Sequence, residues 1–453
     1  MPNNEMLSVG LVSLGCAKNL VDTQVMSGVL LTEGLTLAPN PDECDAVLIN
    51  TCAFIAPARE EAAFEIRRAC DLKKQGAVGA VIVAGCLPQR YGADLVGKFP
   101  DVDAWIGVDH LEEIAAIVRE TAQVGAKRHR KAIVSVTTPA VEIFEPRVPA
   151  LVITGGPFAY LKISEGCNHA CAYCAIPGIR GRLRSRKVSA IMDEAAELLD
   201  NGFKELNIVA QDATAYGMDK RGSLRLPGLL KKLDGLKGSY WLRILYGYPS
   251  LVDDAMLEAL ATTKHLARYI DIPIQHSHPD VLKAMLRADT IHSVVGLPDR
   301  LRKAGPGIAI RTTCMVGFPG ETEEHFQHLL DFVREARFDD LGVFVFSPEE
   351  GTVAATLPHQ VPAEVAEDRR DRLMRLQKRL VSKTNKNRIG SKVKALLLRP
   401  LRGGRWEARS EWQAPDVDGV TIVSGMGPRA RAGAFTTVRI TGVRGYDFRA
   451  EHV

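Results

Sequence analysis

Apolar positions in the first 120 residues come in short unbroken runs separated by amphipathic stretches. SVGLVSL (8–14), DAVLIN (45–50) and AVIVAG (80–85) show no alternation, and helical patterns such as REEAAFEIRRACDLKKQ (59–75) lie between them. Runs of this kind suit strands buried on both faces, so the pattern predicts a parallel α/β sheet. Over 119–157 the pattern lapses: basic AKRHRK (126–131) gives way to Pro139, Pro146, Pro149 and GGP (155–157), which predicts a linker. Six more apolar runs follow, at 159–164, 205–210, 241–246, 268–274, 308–316 and 341–346, each next to a helical pattern. Six βα units are too few for a closed eight-stranded barrel. They predict an incomplete (βα)6 barrel whose site lies on the loops after the strands.

Residues 361–383 are charged, with Leu373, Leu376 and Leu380 at helical spacing, and predict a packed connecting helix. Beyond them KVKALLLRP (392–400), GVTIVSG (419–425) and FTTVRITGV (435–443) alternate and are broken by Gly and Pro. These predict a small antiparallel β-barrel of the oligonucleotide-binding kind. The expected fold class is α/β, with an N-terminal domain over 1–125, a linker over 126–157, a partial barrel with its connecting helix over 158–382 and a small barrel over 383–453.

Composition narrows the setting. A 453-residue chain that is 46% hydrophobic and 25% charged is that of a globular protein of several domains. It has no basic leader followed by an apolar segment and no apolar run of about 18 residues, so a cytoplasmic protein without a membrane partner is expected. Nine cysteines in a reducing compartment point to metal ligands or buried thiols rather than disulfides. The net charge of +4 is uneven: residues 383–453 hold 14 Lys and Arg against 6 Asp and Glu, or +8, leaving 44 against 48, or −4, elsewhere. A polyanion contact is expected at the C-terminal segment.

The densest chemistry is CNHACAYC (167–174), three cysteines directly after an apolar run. A zinc site usually closes with four protein ligands, and no further cysteine follows at CxxC spacing, although His169 lies within the loop. Three thiolates can instead hold three irons of a four-iron cluster and leave the fourth open. Three unrelated buried thiols within eight residues is the remaining reading, and the cluster is the one the spacing favours. Cys16, Cys52 and Cys86 lie 36 and 34 residues apart, each just after a predicted strand. They are expected to emerge on one sheet edge, where α/β proteins place their ligands.

CxxxCxxC with Tyr173 before its last cysteine resembles the signature of the radical S-adenosylmethionine (SAM) superfamily. The segments SLGCAKNLVDTQ (13–24), INTCAFI (49–55) and AGCLPQR (84–90) resemble the N-terminal domain of its methylthiotransferase family, and the resemblance covers nearly the whole chain. It implies two [4Fe-4S] clusters, one on Cys167, Cys171 and Cys174 that cleaves SAM to a 5′-deoxyadenosyl radical, the other on Cys16, Cys52 and Cys86. One SAM would methylate sulfur at the N-terminal cluster and a second would supply the radical. It also implies a C-terminal TRAM domain and an electron-donating protein.

EGCNHACAYCAIPGIRGRLRSR (165–186), AQDATAYG (210–217), DIPIQHS (271–277), RTTCMVGFPGETEEHF (311–326), SPEEGT (347–352) and APDVDG (414–419) are most similar to the branch that methylthiolates an aspartate β-carbon of ribosomal protein twelve of the small subunit. Asp212 and His276 stand where the tRNA-modifying branch typically has Asn and Ser. The basic tail would then touch ribosomal RNA; a tRNA adenosine methylthiotransferase and a non-catalytic RNA-binding metal protein are the alternatives.

Tyr173, Gln211, Asp212, Gln275, Val316 and Gly317 are the candidate SAM contacts, Gln211 and Asp212 for its amino group and the others by resemblance. A turn or helix cap is the plainer role for Gln211 and Asp212. Arg180, Arg182, Arg184 and Arg186 are expected on a solvated basic face, and Cys44, Cys70 and Cys314 as buried thiols.

Overall fold

The computed structural model describes residues 6–122, 131–143, 145, 151–287 and 290–453. Of the expected linker over 126–157, residues 126–130, 144 and 146–150 lie outside these. The chain divides into two compact units, one of Met1–Ile153, Ser164–His169 and Cys174–Arg186, the other of Thr154–Ile163, Ala170–Tyr173 and Lys187–Val453.

The first unit is built on a six-stranded sheet of β1 (Ser8–Ser13), β2 (Thr36–Leu37), β3 (Cys44–Thr51), β4 (Val78–Gly85), β5 (Ala104–Ile106) and β6 (Ile133–Ser135). Its order is β2-β1-β3-β4-β5-β6 and every pairing is parallel. The absence of alternation in the apolar runs has its reason here: Val47, Ile49, Val81, Val83 and Trp105 are sealed in one core. Strand β6 falls inside the stretch expected to be linker. Its three residues are too short for periodicity to reveal, and pairing with β5 makes the strand. After β7 (Phe158–Lys162), which belongs to the second unit, β8 (Ser164–Glu165) pairs antiparallel with β9 (Arg184–Ser185) in the first.

The second unit holds two sheets. Strand β7 joins β10 (Glu205–Val209), β11 (Trp241–Ile244), β12 (Leu266–Asp271), β13 (Ala309–Val316) and β14 (Asp340–Val345) in the order β14-β13-β12-β11-β10-β7, all parallel and open at both ends. This is the expected partial barrel. The connecting helix is Ala363–Lys386, with Leu373 and Leu376 buried and Leu380 half-buried. The last segment closes into a five-stranded barrel of β15 (Lys392–Leu401), β16 (Arg405–Ser410), β17 (Thr421–Ser424), β18 (Phe435–Arg444) and β19 (Asp447–His452) around Val393, Leu397, Val423, Ile440 and Phe448. It departs from the expectation in one pairing: β17 and β19 run parallel and close the barrel. No helix among the described residues is long and apolar enough to cross a membrane.

Candidate active site

Neighbouring parallel strands bring their carboxyl ends to one edge, and the N-terminal cysteines follow from that register. Ser13 pairs with Asn50 and Thr51 with Gly85. Cys16 is therefore the N-cap of helix Ala17–Thr32 after β1, Cys52 follows β3 at once, and Cys86 opens helix Cys86–Tyr91 after β4. The turns need glycine: Gly15 has φ +90°, and a Cβ there would stand 2.7 Å from the Cβ of Cys52. Gly85, at φ +96°, would place one 2.2 Å from Asn50 Oδ1. Cys52 is half-buried and Cys86 buried.

Two residues organise this edge. Asn19 donates from Nδ2 to the Leu14 and Thr51 carbonyls at 3.1 and 2.8 Å, tying the ends of β1 and β3 together. Its Oδ1 accepts from Arg180 at 2.5 Å and from the Cys86 thiol at 3.6 Å. Arg180, 2% exposed, also donates to Asp22 at 2.8 Å, to Glu165 at 3.0 Å and to Cys86 Sγ at 3.3 Å.

The expected solvated face is thus corrected: Arg180, Arg184 and Arg186 are buried, Arg184 paired with Asp109 at 3.0 Å and Arg186 with Glu145 at 2.8 Å, while Arg182 is exposed. A buried guanidinium needs compensating carboxylates, and these come from distant stretches of the chain.

The field at the three sulfurs is uneven. Burial pushes Cys86 up to about 12 despite Arg180, and burial likewise raises Cys52. Cys16 is exposed; the protein packed around its sulfur acts the same way, but Lys18, Arg180 and the backbone N–H groups of Asn19 and Lys18 outweigh it and hold that thiol below its usual range. Three thiols with a buried cation beside them fit a larger anionic group such as an iron–sulfur cluster.

The second triplet sits on the loop after β7. In the first unit, Cys167 donates its N–H to the Gly181 carbonyl at 3.1 Å, its Sγ accepts from His169 N at 3.4 Å, and Asn168 Oδ1 accepts from Leu183 N at 3.1 Å. In the second, the Ala172 N–H donates to Met285 O at 3.0 Å and the Ala172 carbonyl accepts from Ala354 N at 2.8 Å. Arg287 reaches Cys171 Sγ at 3.7 Å and lies 4.2 Å over the Tyr248 ring.

The candidate SAM contacts end or follow strands of the barrel, save Tyr173, buried beside Cys174. Gln211 and Asp212 come just after β10; Asp212 is buried, and its Oδ1 accepts from Thr214 N at 2.9 Å and from Thr214 Oγ1 at 2.5 Å, so the carboxylate caps its own turn. Gln275 follows β12 in the left-handed region at φ +68°, a backbone cost held in place by bridging to Thr313 O and Met315 N at 2.9 and 2.7 Å. Val316 is buried, and the Gly317 N–H donates to Glu321 Oε2 at 2.6 Å. Cys70 and Cys314 are buried as expected, while Cys44 is half-buried.

Sequence reasoning missed Asn19, Asp22 and Arg287. Polar residues at i and i+3 on a largely apolar helix were the available signal for the first two.

Three family patterns match: Uncharacterized protein family UPF0004 over residues 8–107, the Radical SAM superfamily over 161–333 and the TRAM domain over 389–453. Ribosomal protein uS12 methylthiotransferase RimO of Pelotomaculum thermopropionicum is 43% identical over 449 residues, 99% of each chain. The chain belongs to the RimO family of radical SAM methylthiotransferases. The RimO of Desulforamulus reducens is 40% identical over 98% of this chain and 99% of its own. Among solved structures, the radical SAM methyltransferase TsrM from Kitasatospora setae, with cobalamin and a [4Fe-4S] cluster bound, has a TM-score of 0.56 at 17% identity over 77% of each chain, a likeness of fold.

Proposed function

We propose that this chain adds a methylthio group to the β-carbon of an aspartate in ribosomal protein uS12. The observation that carries this is the end-to-end identity with RimO relatives, 43% over 99% of the chain in one of them. Cys167, Cys171 and Cys174 would hold one [4Fe-4S] cluster and Cys16, Cys52 and Cys86 the other. When bound, the clusters supply the electron that cleaves SAM and the sulfur that is transferred.

The chain's own residues do the positioning. Arg180 offsets thiolate charge at the N-terminal edge, and Arg287 steadies the loop around Cys171. Gln211, Gln275, Val316 and Gly317, with Tyr173, would line the SAM site from the strand ends, Asp212 acting by holding its turn. Residues 1–125 would form the domain of the second cluster, 126–157 the connection, 158–382 the SAM domain and 383–453 an RNA-contacting domain beside the substrate. An electron-donating protein completes the set, in the cytoplasm.

Deleting the gene and weighing uS12 tests this directly. A uS12 that loses the mass of one methylthio group supports the proposal, and an unchanged uS12 together with a loss of methylthioadenosine from tRNA transfers the activity to tRNA.

A further inference from the structure

Away from the cysteines, imidazoles gather where two loops of the partial barrel pass each other. His278 is the N-cap of helix Pro279–Ala284, just after β12, with Asp280 in the helix's first turn. His325 is the third residue of helix Glu323–Ala336, which follows the turn at Val316 and Gly317. One ligand atom of each of His278, Asp280 and His325 lies within 4.8 Å of the other two. The rings of His278 and His325 stand 4.2 Å apart between centroids, and that of His328 is 5.0 Å from His278.

Imidazoles at a solvent-facing rim add little to a core, and as cations they would repel one another. Nδ1 of His278 accepts from Asp280 N, and Nδ1 of His325 from Thr322 N, both at 3.2 Å. Neutral imidazole with one carboxylate is a donor set for zinc and its neighbours, while magnesium and calcium need more oxygen ligands than Asp280 offers. Both backbone bonds are at the long end of the usual range, so giving one up to a cation costs little.

We propose that His278, Asp280 and His325 bind one divalent transition-metal ion of the zinc class, at a mononuclear site separate from the six cysteines. Water would complete its shell. The ion would tie the loop carrying Gln275 to the helix that follows Gly317, adding to the hydrogen bond of 2.9 Å that already joins them between Ser277 Oγ and His328 Nδ1. This inference does not depend on which substrate is methylthiolated.

The test uses the reconstituted full chain with both cysteine triplets loaded, exposed to a small excess of zinc chloride and freed of unbound ion by gel filtration. Zinc and iron are measured on the same sample. The wild-type protein is expected to retain about one zinc per chain with iron unchanged. A His278→Ala/His325→Ala double variant should lose that equivalent, and His292→Ala, an exposed histidine outside the cluster, should keep it. Asp280→Asn alters a side chain 76% exposed, so it folds whether or not the double variant does, and should release most of the zinc. Zinc retained equally by wild type and Asp280→Asn, or gained only as iron is lost, overturns the proposal.

Discussion

Arg180 Nη2 lies 3.3 Å from Cys86 Sγ, and the same guanidinium joins Asp22 and Glu165 in a site closed to water. One cation thus answers for two buried carboxylates and stands beside the Cys86 sulfur. Removing it leaves uncompensated buried charge, a change that typically costs about 3–5 kcal/mol. Arg180→Met is therefore expected to lower the melting temperature and to cut iron in the reconstituted protein to about half, from about eight to about four per chain. Arg180→Lys, which keeps the charge without the fork, should recover part of both. Unchanged iron and melting in Arg180→Met would show that the cation is dispensable.

The two triplets have separable roles in the proposed chemistry. Changing Cys16, Cys52 and Cys86 together to Ala should leave deoxyadenosine formation from SAM, because the loop at 167–174 is untouched, while abolishing methylthio transfer to uS12. Cys171→Ala should abolish both. Chromatography for deoxyadenosine and mass measurement of uS12 on the same reaction separate the outcomes, and methylthiolated uS12 from the N-terminal triple variant would refute the assignment.

Glu321 gives the fold a pH dependence of predictable sign. Burial pushes its carboxyl up to about 7, although Arg369 and the N–H groups of Phe318 and Gly317 pull the other way. An unfolded Glu titrates near 4.3 by comparison. The folded state thus holds an extra proton between these values, so this group's stabilising contribution is full at the acid end of the window and lost as pH rises to about 7. Glu321→Gln, which keeps an acceptor for Gly317, should flatten melting temperature between about pH 5.5 and 7.5 relative to wild type. Parallel curves for the two proteins would show that Glu321 is not the source.

What the sequence reveals about this site depends on whether the partners are near or far along the chain. The positions of Cys16, Cys52 and Cys86 are legible because an unbroken apolar run ends where its strand ends, and parallel strands share an edge. Arg180 is not: Asp22 and Glu165 become its partners only in the folded state, across 158 and 15 residues, and the surrounding RGRLRSR looks like solvated charge. Strand β19 carried a readable alternation, with Phe448 and Ala450 inward, in a stretch dominated by charged residues. The basic tail also looks more exposed in sequence than in structure. Arg388 pairs with Asp339 at 2.6 Å and Arg409 with Glu205, so two of its charges serve the fold.

The pairing of Arg409 makes a last test, because it fixes the C-terminal barrel to strand β10. Glu205 has no exposed surface; its Oε1 accepts from Arg243 Nε at 2.7 Å and its Oε2 from Arg409. Burial alone would raise its pKa, but the two guanidiniums outweigh that and hold it ionised below the usual carboxylate range. Glu205→Gln leaves two buried cations facing a neutral amide and should destabilise the chain by about 3–5 kcal/mol, read as a lower denaturant midpoint. Replacing the three together, as Glu205→Leu, Arg243→Met and Arg409→Met, removes charge and counter-charge alike and should recover most of the loss. A triple variant as unstable as Glu205→Gln would mean that the charges themselves, and not their balance, hold the barrel in place.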